Sequence, residues 1–585
     1  MHKRFLSTTL ATAVVAALAA AAPAAAQDSA SQDRFTLTVL HHNDGESQLV
    51  DAGSGELEEF GGVAKFETLV RERRRSALCG GRCGSIMVSS GDNFLAGPEF
   101  NASLEKGVPF YDAMAMKRIG YDAITIGNHE FDFGPEILSG FIRGFPTRMP
   151  FVSANLDVSG APGLVRREEE GRIARSVVVR ERGRRIGIIG ATTPTLPLVS
   201  NPGPVEADDD VRKAIQDEVT RLKDDGVNII VASTHLQSID EEVALVEELR
   251  GVDVVVAGGG GELLANEGDE LVPGDEAQGP YPVVQEDSLG RDVPIVTTTG
   301  DYRYLGRLIA RFSESGLVTS IGRERSGPDV VGSDIEPDEE MTQAAVNPVR
   351  ESIAALDETV IGSSEVPLDG TRDGVRTRET NLGSLAADSL LFAAQRGGTP
   401  ADVALQNGGG IRNDSVFEAG ELTELQTFDA LPFSNFVAVV PDVPAQTLKE
   451  LLERAVSGVE EREGRFAQVG GLRYTYDPSQ PAQELADDGT VATPGQRVRE
   501  LTLDDGRVLV QNGQVVQGAP AVTIATIDFL ARNGDGYPFG GLPFTSLDVT
   551  YQQALRDYIA DGLGGQVTAA QYPESGTGRI TRAGG

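Results

Sequence analysis

The chain has 585 residues, with 88 Asp and Glu against 51 Lys and Arg for a formal charge of −37, two Cys, no Trp and five His. That length predicts two or more domains, and 40% hydrophobic residues supply cores for them, which excludes disorder as a description of the whole chain. The acidic balance disfavours nucleic acid polymers and anionic membrane surfaces as partners, and five histidines exclude a His-rich zinc cluster.

Residues 1–26 read as a signal peptide: Lys3 and Arg4, an apolar run from Phe5 to Ala22, and Ala24-Ala25-Ala26 before Gln27. Cleavage near Ala26 predicts a periplasmic or extracellular protein. The alternative is an uncleaved N-terminal anchor, which the Ala-rich run and the small-residue site disfavour. The C-terminus, Thr581-Arg582-Ala583-Gly584-Gly585, lacks the apolar tail of a GPI signal, so no membrane anchor is expected. In an oxidising compartment Cys79 and Cys83 are candidates for a local disulfide.

Short apolar, β-branched runs follow in chain order: Phe35–Leu40, Ser85–Val88, Ala123–Ile126, Arg185–Ile189, Val227–Ala232 and Val252–Val256. Amphipathic or Gly-rich stretches separate them, which predicts buried strands alternating with helices and an α/β fold. Around Ser313–Glu340 the composition turns to Ser, Gly, Pro, Asp and Glu. A helix is expected from Asn347-Pro348, with Asn as cap and Val349, Ile353 and Leu356 on one face. Further strands are expected at Asp402–Leu405, Phe436–Val440, Leu472–Tyr476 and Ala521–Ile524. The sequence carries no signal of an oligomeric state.

Several of the early runs end in residues that bind metals: Asp44 after the first, Asp92 after the second, Asn128 after the third and His235 after the fifth. Each alone has an ordinary structural reading, as a cap, a turn or a core histidine. Together they point to one cleft, because ligands gather outside the carboxyl ends of strands in α/β sheets. Carboxylate, amide and imidazole donors suit divalent cations, and two ions sharing a carboxylate activate water and neutralise phosphate charge.

The blocks Leu40-His41-His42-Asn43-Asp44, Ser90-Gly91-Asp92-Asn93, Gly127-Asn128-His129-Glu130-Phe131-Asp132 and Ser233-Thr234-His235-Leu236 resemble the metal-site blocks of the secreted 5′-nucleotidase, UDP-sugar hydrolase and 2′,3′-cyclic phosphodiesterase family. The resemblance spans about Arg34 to Arg582. It implies a four-layer α/β/β/α metallophosphoesterase domain at 34–335, a linker helix at 336–359 and a C-terminal α/β nucleotide-binding domain at 360–582. It also implies Asp92 as the ligand bridging two metals, Asp44 on the first metal, Asn128 and His235 on the second, and His129 as a catalytic group oriented by Asp132. Asp44 is followed by Gly45-Glu46 where the family has Asp-x-His. Glu46 is therefore expected as a carboxylate ligand that favours harder ions among Mn, Mg, Zn and Ca.

The second half resembles the family's nucleotide-binding domain in Arg376-Thr377-Arg378, Asn407-Gly408-Gly409-Gly410-Ile411-Arg412, Pro432-Phe433-Ser434-Asn435 and Phe529-Leu530-Ala531-Arg532-Asn533-Gly534-Asp535-Gly536-Tyr537. The resemblance places Arg378 and Arg412 on phosphate with Asn407 beside them, Phe433 and Phe529 around the base, Asn435 at its edge and Asp535 on the ribose. Arginine forks match phosphate oxygens, and paired aromatic faces grip a base with little regard to its identity.

One departure is larger. After Val252–Val256 the family places Gly-His-x-His or Gly-His-x-Gln, whereas this chain has Gly258-Gly259-Gly260-Gly261-Glu262. Gly259 and Gly261 offer no side chain; Glu262, backbone carbonyls or water are the open substitutes. Two readings follow. One is a phosphoesterase that hydrolyses nucleotides by attack of metal-activated water on phosphorus, with 5′-nucleotides, UDP-sugars or 2′,3′-cyclic nucleotides as substrate. The other is a nucleotide-binding protein whose metal half has degenerated.

Overall fold

The computed structural model describes residues 35–53, 55–486 and 489–583. The expected signal peptide lies outside them. Among the described residues no helix is long and apolar enough to cross a membrane. The fold is mixed α/β, and its first half is built around two sheets.

The larger sheet runs Val318–Ile321, Tyr304–Phe312, Phe35–His42, Cys83–Ser89, Ala123–Thr125, Phe151–Val152 and Ile173–Ala174, with Gly327–Val330 also paired to Tyr304–Phe312. From Phe35–His42 onward the neighbours are parallel. The second sheet runs Val283–Glu286, Asp292–Val296, Val254–Val256, Ile229–His235, Arg184–Thr192 and Ser176–Glu181, with its four middle strands parallel.

Leu37, Val39, Ile86 and Val88 of one sheet pack against Ile188, Val231, Val254 and Val256 of the other, so the sheets share an inner face. Helices Val63–Ser76, Tyr111–Ile119 and Gly134–Arg143 bury apolar residues on the outer face of the first sheet, and Val211–Asp224 and Ile239–Glu248 cover the second. Four layers, α/β/β/α, result. A strand covered on both faces has no polar side to show, which explains the continuous apolar runs in the sequence.

In the second half, a five-stranded sheet runs Ala467–Gly470, Val403–Asn407, Val522–Ile527, Phe436–Val443 and Thr545–Thr550. Helix Asn381–Arg396 packs on it, capped by Thr380, whose Oγ1 accepts the Gly383 amide at 3.0 Å. A second five-stranded sheet contains Leu472–Tyr476 and Val498–Leu503, and one apolar core joins both.

Between the halves the structure departs from expectation. The segment that reads as irregular holds two strands, Val318–Ile321 and Gly327–Val330. Helical backbone starts at Glu339, not at Asn347, because Asp338 accepts the Met341 amide at 3.0 Å as an N-cap. Asn347-Pro348 sits inside that run, directly after a π-turn at Thr342–Val346. The wider turn is where a proline lacking its N–H fits into a continuing helix. Val349 and Leu356 are buried, as the periodicity predicts. Cys79 and Cys83 are disulfide-bonded, with Cα atoms 5.2 Å apart.

Candidate active site

The parallel strands of both sheets deliver Asp44, Asp92, Asn128, His235 and Gly259 to one rim, at or just past the ends of their strands. Asp44, Asp92 and His235 are buried, and each offers a ligand atom within 4.8 Å of the other two. His235 Nε2 lies 2.9 Å from Asp92 Oδ2 and 3.1 Å from Asn128 Oδ1. Its Nδ1 donates to the Ser90 carbonyl at 2.6 Å. A carbonyl only accepts, so Nδ1 carries a proton and Nε2 is the metal-binding position of the neutral ring.

Asp92 is held by an element the sequence reading left without a role. Glu130 is fully buried, and its carboxylate accepts the amides of Asp92 at 3.0 Å, Asn93 at 2.7 Å and Gly127 at 2.6 Å, plus Asn93 Nδ2 at 2.8 Å. The His129 amide in turn donates to Asp92 Oδ1 at 2.8 Å. Asp92 sits at φ 51°, a left-handed conformation that Asp tolerates, and a Cβ at Gly127 would collide with its Oδ1. Sequence reading could have found Glu130, since it follows His129 directly in the block Gly127-Asn128-His129-Glu130-Phe131-Asp132.

The Asp44 side is built differently. Asp44 Oδ2 accepts the Gly259 amide at 3.2 Å and a bond from Asn43 Nδ2, which also reaches the Thr298 carbonyl at 2.6 Å. Gly259 has φ 91°, and a Cβ there would collide with the Leu236 carbonyl and lie 2.9 Å from His235 Nε2. Backbone N–H thus stands where the family resemblance expects an imidazole.

Glu46, expected as a ligand, and Glu262, one of the open substitutes, are not gathered into the cluster. Glu46 is at φ 47° with its amide donating to the Asp92 carbonyl at 3.0 Å. Glu262 Oε1 accepts the amide of Ile239 at 3.1 Å, an otherwise orphaned donor at the first turn of helix Ile239–Glu248.

Burial drives the electrostatics. It raises Asp44, with Asp92 adding to the rise, and it pushes Glu46 up to about 8. Burial also acts to raise Asp92, but His235 and His129 outweigh it and hold Asp92 below its ordinary value. Conversely, burial would lower His235, yet Asp92 raises it to about 10. An imidazole, two carboxylates and an amide oxygen make a donor set suited to a divalent cation, which would take the place of the proton on His235 Nε2. Three donors meet on the Asp92, Asn128 and His235 side, and Asp44 alone stands on the other.

His129 stands at the edge of this cluster, its side chain 26% exposed and its Nε2 3.8 Å from Asp92 Oδ2. Its Nδ1 lies 2.8 Å from Asp132 Oδ2, and Ser200 Oγ donates to Asp132 Oδ1 at 2.8 Å. Burial opposes a charge on His129, but Asp132 and Asp92 prevail and its pKa lies well above the ordinary value.

His129 and Asp132 form one wall of a cleft of about 280 Å³. Asn407, Phe433, Asn435, Phe529 and Asp535 form the other, so every one of these expected residues meets there. Asn407 Nδ2 donates to Asp535 Oδ2 at 2.7 Å, and the hydroxyl of Tyr551 accepts the Phe433 amide at 3.0 Å. Arg378 and Arg412 do not line the cleft: Arg378 is 58% exposed and ion-paired to Asp369 at 2.7 Å, while Arg412 lies over the Phe433 ring at 5.5 Å. Arg376, within the same quoted block, is buried beside Arg372 and Arg412. Leu198, Val199, Ser200 and Asn201 also line the cleft, and no motif announces them; Arg532 lines it too, from within the Phe529–Tyr537 block but with no role assigned to it there.

A profile of the "5'-nucleotidase, C-terminal domain" matches residues 360–540. The crystal structure of a 5′-nucleotidase precursor from Thermus thermophilus is 32% identical, covering 94% of this chain and 100% of that one, with a TM-score of 0.67. The chain belongs to the 5′-nucleotidase family. A 5′-nucleotidase from Diplobatis ommata is 28% identical over 86% of this chain and 83% of its own length. The trifunctional nucleotide phosphoesterase protein YfkN of Bacillus subtilis (strain 168) is 29% identical over 87% of this chain, which spans 33% of that longer protein. These relatives of the family are hydrolases of phosphoric esters.

Proposed function

We propose that this family member is a secreted or periplasmic, metal-dependent phosphoesterase that hydrolyses nucleotides to nucleoside and phosphate. In this reading, residues 34–335 form the metal domain, 336–359 the linker and 360–582 the nucleotide-binding domain. One observation carries it: a single cleft has His129 and Asp132 on one wall, next to the Asp44, Asp92, Asn128 and His235 cluster, and two phenylalanines with Asn435 and Asp535 on the other. The cleft thus joins a phosphate-handling end to a base-handling end.

Divalent cations held by Asp44, Asp92, Asn128 and His235 would supply Lewis acidity and lower the pKa of water. The chain's own groups do the rest. Asp132 fixes the proton on His129 Nδ1 and leaves Nε2 to donate to the phosphoryl or leaving oxygen. Phe433 and Phe529 stack the base, and Asp535, with one oxygen already held by Asn407, offers the other to ribose hydroxyls. Arg412, over the Phe433 ring, and Arg376, near Arg412 and Asp535, supply positive charge beside the cleft of an otherwise acidic protein.

Gly259, Gly261 and the engagement of Glu262 at a helix terminus favour a second reading, a nucleotide-binding protein with weak metal affinity. The purified protein with Mn²⁺ distinguishes them on a panel of nucleoside 5′-monophosphates, UDP-sugars and 2′,3′-cyclic nucleotides. The expected result is phosphate release from monophosphates, with Phe433→Ala raising KM roughly tenfold to a hundredfold. Binding of nucleosides without hydrolysis of any substrate would establish the second reading.

A further inference from the structure

Arg532 reaches across the cleft. It follows helix Asp528–Ala531 in the nucleotide-binding half, where its Nη1 bonds Asp528 Oδ2 at 2.7 Å and its guanidinium lies over the Phe544 ring at 5.4 Å. The same fork donates to the Ser200 carbonyl at 3.3 Å and to Asn201 Oδ1 at 3.1 Å. Those two residues belong to the other half, just after the short helix Leu196–Val199.

Ser200 is buried, and the hydroxyl of the residue whose carbonyl Arg532 grips donates to Asp132 Oδ1 at 2.8 Å. Asp132 Oδ2 holds His129 Nδ1 at 2.8 Å. At the other end, Asp528 Oδ1 accepts the amides of Phe436 at 2.9 Å and Phe529 at 3.1 Å, which fixes the backbone beside Asn435 and Phe529. A continuous path of hydrogen bonds therefore runs from the aromatic wall to the imidazole. It crosses between the halves at a planar fork that binds two acceptors at once and is always charged.

We infer that Arg532 is a positioning residue: by gripping Ser200 and Asn201 when the halves are docked, it sets the Ser200 hydroxyl on Asp132 and so the orientation of His129. Docking of the nucleotide-binding half and alignment of the catalytic imidazole are then one event. The inference rests on the proposed phosphoesterase activity for its kinetic signature, and on backbone exchange for a signature that does not need it.

The test is a double-mutant cycle with hydrogen–deuterium exchange. Arg532→Ala and Ser200→Ala are each expected to lower kcat roughly tenfold to a hundredfold, with KM changing less. Because both act through one path, the double variant should be no slower than the slower single. Arg532→Lys, which keeps charge without the fork, should recover part of the loss. In Arg532→Ala, deuterium uptake in residues 196–203 should rise while the strand cores stay unchanged. Multiplying losses in the double variant, or an effect on KM alone, would overturn the inference. If the wild type hydrolyses nothing, the proposed function fails by itself; unchanged exchange in 196–203 would then overturn the relay, and raised exchange would sustain it.

Discussion

The two flanks of the candidate metal site are built by different means. On one flank Asp92, Asn128 and His235 each present a side-chain donor, and Glu130, Ser90 and Gln237 hold them through hydrogen bonds of 2.6–3.1 Å. On the other, Asp44 faces a glycine turn, Glu46 is half-buried and held as a weak acid, and Glu262 is committed to a helix terminus. The first flank gathers side-chain donors that could hold a cation, whereas the second uses main-chain N–H to hold a carboxylate in place. Sites whose supporting groups are fully bonded are pre-organised, so metal affinity should be concentrated on the first flank.

The largest expected effect breaks that flank directly. His235→Ala or Asp92→Asn should remove bound metal and lower hydrolysis by about 10³ or more, as several kcal/mol of charge stabilisation disappear. Metal content by mass spectrometry, read beside rate, checks it; full metal content in His235→Ala would contradict the assignment.

Next comes His129→Ala, expected to lower kcat by about 10²–10⁴ while metal content stays at the wild-type level. A variant that loses metal as well would make His129 a ligand. Glu130→Gln should weaken metal binding about 10–100-fold with nucleoside binding unaltered, since it loosens the Asp92 turn without touching the cleft. Isothermal titration with Mn²⁺ and with nucleoside separates the two.

On the sparse flank the effects should be small. Glu262→Ala and Glu46→Gln are expected to keep metal affinity within about threefold of wild type, because neither carboxylate joins the cluster. A large loss in Glu262→Ala would mean that the Gly258–Gly261 turn refolds to deliver it. Asp253 directly precedes the strand leading to that turn, and its carboxylate accepts the Ile230 amide at 2.8 Å. Burial raises Asp253 from 3.8 to about 7. The unfolded chain thus loses this proton first, and the contribution of Asp253 falls between those values. Relative to Asp253→Asn, the wild type should lose thermal stability from about pH 4 to pH 7 and no further above it. A constant difference in Tm would refute the assignment.

The strands that carry the site and the four gathered residues were legible because buried parallel strands leave unbroken apolar runs, and chemistry sits at their carboxyl ends; the antiparallel neighbour Tyr304–Phe312 was not among the runs read as strands. Phe433, Asn435, Phe529 and Asp535 were legible through short blocks that resemble the family's nucleotide-binding domain. The direction of Glu262 was not, since a left-handed glycine turn and an orphan amide decide it. Nor was Arg532, whose partner is a main-chain carbonyl 332 residues away, an acceptor every residue carries alike. The early start of the helix around Asn347 was hidden by Asp338, a stronger cap standing in an acidic stretch.

The most direct test of the account is phosphate release from a nucleoside 5′-monophosphate by metal-stripped protein titrated with Mn²⁺, wild type beside His129→Ala. The account predicts no release without metal, restoration in the wild type as Mn²⁺ is added, and a restored rate at least about a hundredfold lower in the variant. Equal rates in the two proteins, or none in either at saturating Mn²⁺, would contradict it.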